Sequence, residues 1–163
     1  RLQATLWLAE FRRTGAAAVE QEGDPDASFI YEQMVRLCDE PDLNDMLDAL
    51  QRRAALVREW QLFFELYPVL ICPISGELPF PDLLDVASPE AFERVIEAQL
   101  TQVGLPLMGL PGLAVATGMT DQNVPVGVQL VGGRYREDTL LAAGDVIAAA
   151  NPMSGPIDPR PAA

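Results

Sequence analysis

The sequence contains neither histidine nor lysine, and all 11 of its basic residues are arginine. Without an imidazole there is no Ser–His–Asp or Cys–His device for activating a nucleophile, and zinc sites built on histidine are excluded. Without a primary-amine side chain there is no Schiff-base lysine and no phosphate-binding P-loop. We therefore predict no metal site, no cofactor, and no means within this chain of activating a hydroxyl group.

Cysteine is scarce, and long apolar runs are missing. The two cysteines, Cys38 and Cys72, cannot form a disulfide framework for a chain of this size, so we interpret both as reduced and structural. No apolar run approaches the roughly 20 residues of a membrane-spanning helix. No basic start precedes an apolar segment of the secretory type. The sequence therefore predicts a cytoplasmic protein that does not bind membranes.

Basic residues are also few. The chain carries 24 acidic and 11 basic residues, and its net charge of −13 repels nucleic-acid phosphates and anionic lipids. We therefore predict no nucleic-acid partner. With 163 residues, 49% of them hydrophobic, the chain is long enough to bury the core of one domain. Because the first residue is Arg1 rather than methionine, we expect a fragment or a processed product.

Apolar residues recur at helical spacing in five segments, and this predicts five helices. They cover residues 2–13, about 25–37 and about 42–65, with a fourth starting at Ser88 and a fifth opening at Arg136. Residues 16–23 are interpreted as a loop. In the fourth helix we expect Glu90 and Arg94 to form an i,i+4 ion pair and Leu100 to lie on the buried side.

Three short apolar runs predict strands at residues 69–72, 113–117 and 126–131. The first is apolar on both faces, which is typical of a buried central strand. The second and third are separated by a small polar loop, so an antiparallel pairing is expected. The element order indicates an α/β fold with a mixed sheet flanked by helices. Because three strands leave exposed edges, another chain or a further part of the same chain is expected to supply neighbours.

The stretch from Gly104 to Gly133 resembles the C-terminal end of the amidase signature enzymes, serine hydrolases that cleave carboxylic amides. The resemblance rests on four motifs in the expected order: YPVLICP at 67–73, GLPGL at 109–113, VPVGVQLVG at 124–132 and DTLL at 138–141. It covers roughly residues 60–150. It implies an α/β fold in which residues 1–66 form a helical part, 67–150 a strand–helix–strand–strand–helix part, and 151–163 a Pro-rich tail.

The same resemblance implies that the catalytic residues lie outside this chain. The family uses two serines and a lysine, with the nucleophile in a Gly/Ser-rich segment, and this chain has no such segment. The catalytic set is therefore expected upstream of this chain, and no catalytic residue is assigned within it. The implied partners are the N-terminal catalytic part of the same enzyme and a small-molecule amide.

Five residues are candidates for the substrate pocket, and each has a structural alternative. Pro73, Ile74 and Ser75 follow a strand, in a loop that lies near the substrate in the family; Ser75 could instead bond its own turn. Gly109 and Leu110 could bring the backbone close to a substrate, or could simply form a tight start to a strand.

Three further residues bear on the site. Gln129 interrupts an apolar strand and could bond either a loop that shapes the site or the neighbouring backbone, the second being favoured. Pro106 stands where many family members have asparagine. Gln99 stands where members that deaminate glutamine for tRNA transamidation tend to have aspartate. These departures favour a general small-molecule amidase.

Two other interpretations remain open. The chain could be a non-catalytic acidic binding or scaffold domain that retains an amidase-like half. It could also be a self-associating domain whose long amphipathic helix pairs with a second copy in a homodimer. The residues that precede Arg1 distinguish the enzyme from the scaffold domain.

Overall fold

A computed structural model of the chain describes residues 1–152, so most of the predicted Pro-rich tail lies outside the described residues. Eight helices and three strands lie in this part of the chain. The helices are α1 (Leu2–Thr14), α2 (Ala16–Glu22), α3 (Pro25–Val35), α4 (Leu43–Leu66), α5 (Leu84–Ala87), α6 (Pro89–Ala98), α7 (Leu100–Met108) and α8 (Glu137–Ala150). The strands are β1 (Val69–Pro73), β2 (Gly112–Met119) and β3 (Pro125–Gly132). The division of the chain at residue 66 stays a prediction.

Short polar side chains start the helices where the sequence predicted. The Asp24 carboxylate accepts hydrogen bonds from two backbone N–H groups of α3, and Pro25 follows at the first helical position. Asp42 and Asp45 form a reciprocal capping box at the start of α4. The Ser88 hydroxyl accepts a hydrogen bond from the Ala91 N–H, 3.1 Å away, at the start of α6. Each cap satisfies backbone donors that the first helical turn leaves without partners.

Three helices were not predicted, and the shortest of them is the four-residue α5. Residues 16–22 form α2 instead of a loop, because Gly15 keeps a right-handed helical conformation (φ −100°, ψ −31°) and lets helix follow helix. Residues 100–108 form α7 although Gly104 and Pro106 lie inside it. As a consequence Leu100 begins α7 rather than extending α6, and it is 63% exposed instead of buried.

The three strands form one sheet in the order β1-β3-β2, so the predicted antiparallel pairing of β2 with β3 is confirmed. The α/β fold with a sheet flanked by helices is also confirmed. Both strand pairings among residues 1–152 are antiparallel, so the parallel pair of a mixed sheet does not occur between these strands. The prediction that β1 is central was wrong within this chain. β3 is central, and β1 is an edge strand in which Ile71 is 57% exposed, so apolar character on both faces did not locate β1 in the sheet.

Helices cover the sheet on both faces. On one face α4 and α7 pack against the sheet through Phe64, Met108, Leu110 and Val131, which are all at least nine-tenths buried. On the other face Leu140 of α8 packs against Val115 and Leu130. The two clusters alternate along β3, since successive residues of a strand point to opposite faces. This packing fixes the ends of the strands, from which the candidate site is built.

Candidate functional site

An open cavity of about 520 Å³ lies where β1 ends and β3 begins. These two points meet because β1 and β3 run antiparallel, with Pro73 opposite Val128. The junction of α6 and α7 closes another side. The lining residues are Pro73, Ile74, Ser75, Gly76, Glu77, Leu78, Pro79, Phe80, Gln99, Gln102, Pro125, Val126 and Gly127.

The cavity brings together three of the five candidate pocket residues. Pro73, Ile74 and Ser75 lie on its wall. Gly109 instead ends α7 in a left-handed conformation (φ 62°), and Leu110 is buried in the core. Both lie near the start of β2, which pairs with the end of β3 remote from the cavity. The geometry of Gly109 and Leu110 therefore favours the tight strand start over a substrate contact.

The loop after β1 is tied to the α6–α7 junction by hydrogen bonds. The Ile74 carbonyl accepts bonds from the Thr101 hydroxyl, 2.9 Å away, and from the Gln102 amide. The Gly76 N–H donates to the Ala98 carbonyl at 2.7 Å. These bonds hold one wall of the cavity in place. They could not be predicted from local sequence, because they join residues that lie more than 20 positions apart.

Ser75 bonds its own turn, as expected if its role is structural. Its hydroxyl oxygen accepts a hydrogen bond from the Glu77 N–H, 3.2 Å away, within the same turn. A serine hydroxyl also has a donor hydrogen, which this contact does not use. Ser75 can therefore present a donor on the cavity wall, but the chain supplies neither a histidine nor a lysine to deprotonate it.

Gln129 stands one layer behind the cavity. Its side chain is 92% buried and its amide nitrogen donates to the Thr101 carbonyl at 3.2 Å and contacts the Cys72 sulfur at 3.5 Å. The contact to backbone agrees with the favoured structural interpretation. Because Thr101 in turn binds the Ile74 carbonyl, Gln129 links β3 to the helix that positions the cavity loop. Cys72 is half-buried in the core and serves as a packing residue.

A single ion pair sets the charge at the cavity rim. The Arg94 Nε donates to both Glu77 carboxylate oxygens, at 3.0 and 3.1 Å, so the predicted pairing of Arg94 with Glu90 was wrong. The Arg94 guanidinium lowers the pKa of Glu77 and Glu77 raises the pKa of Arg94, through the hydrogen bond first and charge attraction second. Glu90 bonds its own backbone N–H and Ser88 instead, which lowers its pKa.

The cavity is therefore suited to an uncharged ligand. The carboxylate of Glu77 is matched by Arg94, while Gln99 and Gln102 offer neutral amides and the remaining lining is largely apolar. Predictions from the sequence missed Gln102 and residues 125–127, because only the unpredicted α7 and the register of β1 with β3 bring them to this place. They also missed Glu77, although it lies in the same loop as Ser75. Within residues 1–152 no cluster of three or more metal-ligating side chains occurs.

None of the helices in the described part of the chain combines the length and the apolar character needed to cross a membrane.

Comparison with known proteins identifies the family. The model of the amidase family matches residues 16–141. The chain is 35% identical over 107 residues to an indoleacetamide hydrolase of Bradyrhizobium japonicum, covering 65% of this chain and 23% of the relative. It is 37% identical over 98 residues to a glutamyl-tRNA(Gln) amidotransferase subunit of Archaeoglobus fulgidus, covering 60% of this chain and 20% of the relative.

Solved structures show the same fold. A 6-aminohexanoate cyclic dimer hydrolase superposes with a TM-score of 0.59 at 21% identity, over 77% of this chain and 28% of its own. An allophanate hydrolase variant of Kluyveromyces lactis superposes with a TM-score of 0.60 at 19% identity, over 91% of this chain and 25% of its own. The chain spans about a fifth of the length of the curated relatives that it matches. Because the family model covers most of the chain, this protein belongs to the amidase family.

Proposed function

We propose that this chain is the C-terminal portion of an amidase that hydrolyses a small-molecule carboxylic amide to an acid and ammonia or an amine. The observation that carries the proposal is the family match over residues 16–141 in a chain that has no histidine and no lysine. A serine hydroxyl needs a base before it attacks a carbonyl. The Ser-Ser-Lys set that the family resemblance implies would therefore lie in polypeptide outside this chain.

In this scheme the upstream serine attacks the amide carbonyl and the lysine takes its proton through the second serine. The amide nitrogen leaves as ammonia or an amine after receiving that proton, and water then hydrolyses the acyl-enzyme ester to the acid. This chain would contribute the cavity wall formed by Pro73, Ile74 and Ser75. Its own residues would position the acyl part of the substrate by shape and by neutral hydrogen bonds.

The cavity supports an uncharged substrate. Ile74, Phe80 and Val126 provide apolar surface, and the rim carboxylate is matched by Arg94. Gln99 replaces the aspartate that the family resemblance associates with binding an ammonium group. The name of one relative indicates that it acts on indoleacetamide, which is a neutral aromatic amide. We propose that this protein likewise acts on a neutral amide and not on glutamine for tRNA transamidation.

The test uses the longest polypeptide that contains this chain together with the residues encoded before Arg1. We expect it to release ammonia from neutral aryl or alkyl amides, and Val126→Phe, which fills the cavity, to raise KM about tenfold or more. The control is Val146→Phe, at a 71% exposed position on α8, which should leave KM unchanged. Equal KM values for the two variants would contradict the cavity assignment, and no amide hydrolysis would contradict the proposed activity.

The alternative is a non-catalytic acidic binding or scaffold domain. The net charge of −13 and the missing catalytic groups are what favour it. A polypeptide with no Gly/Ser-rich segment and no lysine before Arg1 would support this alternative over the enzyme. In either case we propose a cytoplasmic location, because Cys38 and Cys72 are not paired with each other.

A further inference from the structure

The loop between β1 and α5 has two parts that the fold holds in different ways. In the first part, the Ile74 carbonyl and the Gly76 N–H bond the α6–α7 junction. The second part, residues 77–83, leads into α5. Three of its residues line the cavity and form what we call the outer wall: Leu78, Pro79 and Phe80. The contacts of this second part determine how firmly the outer wall is held.

One side-chain contact ties the second part to α6. The carbonyls of residues 81 and 83 accept bonds from the start of α5, which is itself only four residues long. Within residues 1–152, the remaining hydrogen bond between residues 77–83 and a helix or strand is the bidentate one from Arg94 to Glu77. Arg94 therefore links the outer wall to α6, a helix that packs into the fold through Phe92 and Val95.

Arg94 binds Glu77 although other acidic residues lie closer to it in the sequence. Glu90 and Glu97 are one helical turn away, yet in the described part of the chain Arg94 pairs with Glu77 alone. Among the described residues that line the cavity, only Glu77 carries a charge. The two side chains are 57% and 37% exposed. An exposed ion pair is weak, so its loss is expected to loosen the outer wall without unfolding the chain.

The outer wall offers apolar surface to a ligand. Leu78 is 54% exposed although it lines the cavity, and Phe80 is half-buried. An apolar ligand in the cavity would remove such surface from water, which favours binding. A loop that must be ordered when the ligand binds weakens that binding, whereas a loop that is already held does not. The affinity of the cavity for apolar groups therefore depends on the contact that holds the loop.

We propose that Arg94 is a positioning residue of the cavity. Through its bidentate bond to Glu77 it holds the outer wall in place, and it thereby sets the affinity for the apolar part of a neutral amide. Arg94 itself does not line the cavity, so it acts through Glu77 and the loop. The identity of the ligand rests on the proposed function, whereas the effect of Arg94 on the loop does not.

The kinetic test measures KM and kcat for phenylacetamide, using the longer polypeptide that contains this chain. We expect Arg94→Gln to raise KM about fivefold and to leave kcat within about twofold of the parent, because the outer wall would bind the substrate and the transition state equally. Arg52→Gln is the matched control. It breaks another exposed ion pair, Arg52 with Glu59 at 3.6 Å on α4, and should leave KM unchanged.

Two double variants separate the bond from the charge of Glu77. Glu77→Gln with Arg94→Gln removes both charges, and KM should stay raised because the bidentate bond is still missing. Glu77→Arg with Arg94→Glu re-forms the pair in reverse, and KM should return to within about twofold of the parent. A parental KM in the neutral double variant would show that only charge balance matters, which overturns the proposal.

A measurement on this chain tests the loop without any substrate. The amide order parameters of Leu78, Phe80 and Asp82 from NMR relaxation should fall from about 0.85 to below about 0.6 in Arg94→Gln, and should not change in Arg52→Gln. Unchanged order parameters, or an unchanged KM, overturn the proposal. Lowered order parameters without amide hydrolysis by the longer polypeptide contradict the proposed function alone. Hydrolysis with unchanged order parameters contradicts this inference alone.

Discussion

Arg94 lies one helical turn from Glu90, yet its guanidinium binds Glu77, 17 residues earlier in the chain. The i,i+4 rule favours a pair worth only about a few tenths of a kcal/mol, so a better geometry readily overrides it. A bidentate contact between guanidinium and carboxylate is such a geometry. At the start of α6 the pKa of Glu90 is lowered by its own backbone N–H and by Ser88, and not by Arg94. Local spacing alone therefore could not identify the partner.

The Arg94–Glu77 pair predicts a pH dependence of stability. Arg94 holds the pKa of Glu77 below its ordinary value of 4.5, so the pair stabilises the fold above that pH and the contribution is lost as the pH falls through the lowered pKa. Arg94→Gln should therefore lower the urea midpoint near neutral pH, and the difference from the parent protein should vanish in acid. Arg58→Gln, at an exposed arginine of α4, is the control. A difference that persists unchanged in acid would contradict the assignment.

Gln129 shows how far a single residue can be interpreted from the sequence. Its position in an apolar strand predicted a buried amide with a partner, and the partner is the Thr101 carbonyl. That Thr101 is the partner could not be predicted. Thr101 belongs to α7, and the sequence did not predict this helix because Gly104 and Pro106 lie inside it.

We expect Gln129→Ala to destabilise the fold by about 1 to 3 kcal/mol, since it removes a buried hydrogen bond and leaves the Thr101 carbonyl without this donor. Urea unfolding measures the change. Gln122→Ala in the exposed loop between β2 and β3 should stay within about 0.5 kcal/mol of the parent protein. Equal changes for the two glutamines would show that the bond to Thr101 contributes nothing.

Among the helices and strands, the sequence predicted those features that depend only on nearby residues. Asp24, Asp42 and Ser88 begin helices because their side chains satisfy the first N–H groups, and this requires only the nearest residues. The limits of β2 and β3 followed from β-branched runs between glycine and proline. The position of β1 at the sheet edge did not follow, because strand order depends on neighbours that lie far away in the sequence.

The β2–β3 pair depends on a close approach at Gly127. A Cβ atom at this position would stand 2.5 Å from the Val115 carbonyl oxygen, which is part of the backbone and cannot turn aside. We expect Gly127→Ala to destabilise the fold by about 1 to 3 kcal/mol in urea unfolding. Gly118→Ala, where nothing lies within 4 Å of the added atom, is the matched control in the partner strand and should change stability by less than about 0.5 kcal/mol. A larger loss at Gly118 would contradict the strand pairing described here.

At the scale of the whole molecule, the family could be predicted from four motifs in order, and the fold followed from it. The cavity could be predicted only in part. Pro73, Ile74 and Ser75 follow a strand, which placed them at a strand end, whereas Gln102 and Val126 join them through helix packing and strand register. The absence of histidine and lysine gave the strongest prediction, because folding cannot supply a residue type that the chain does not contain.

We infer that amide hydrolysis requires polypeptide outside these 163 residues, since the chain holds no histidine or lysine to activate a serine. The most direct measurement is ammonia release from simple neutral amides by the purified chain, alongside the longer polypeptide that contains it. We expect no release above the buffer background from the chain alone and steady turnover by the longer polypeptide. Turnover by the chain alone would contradict it.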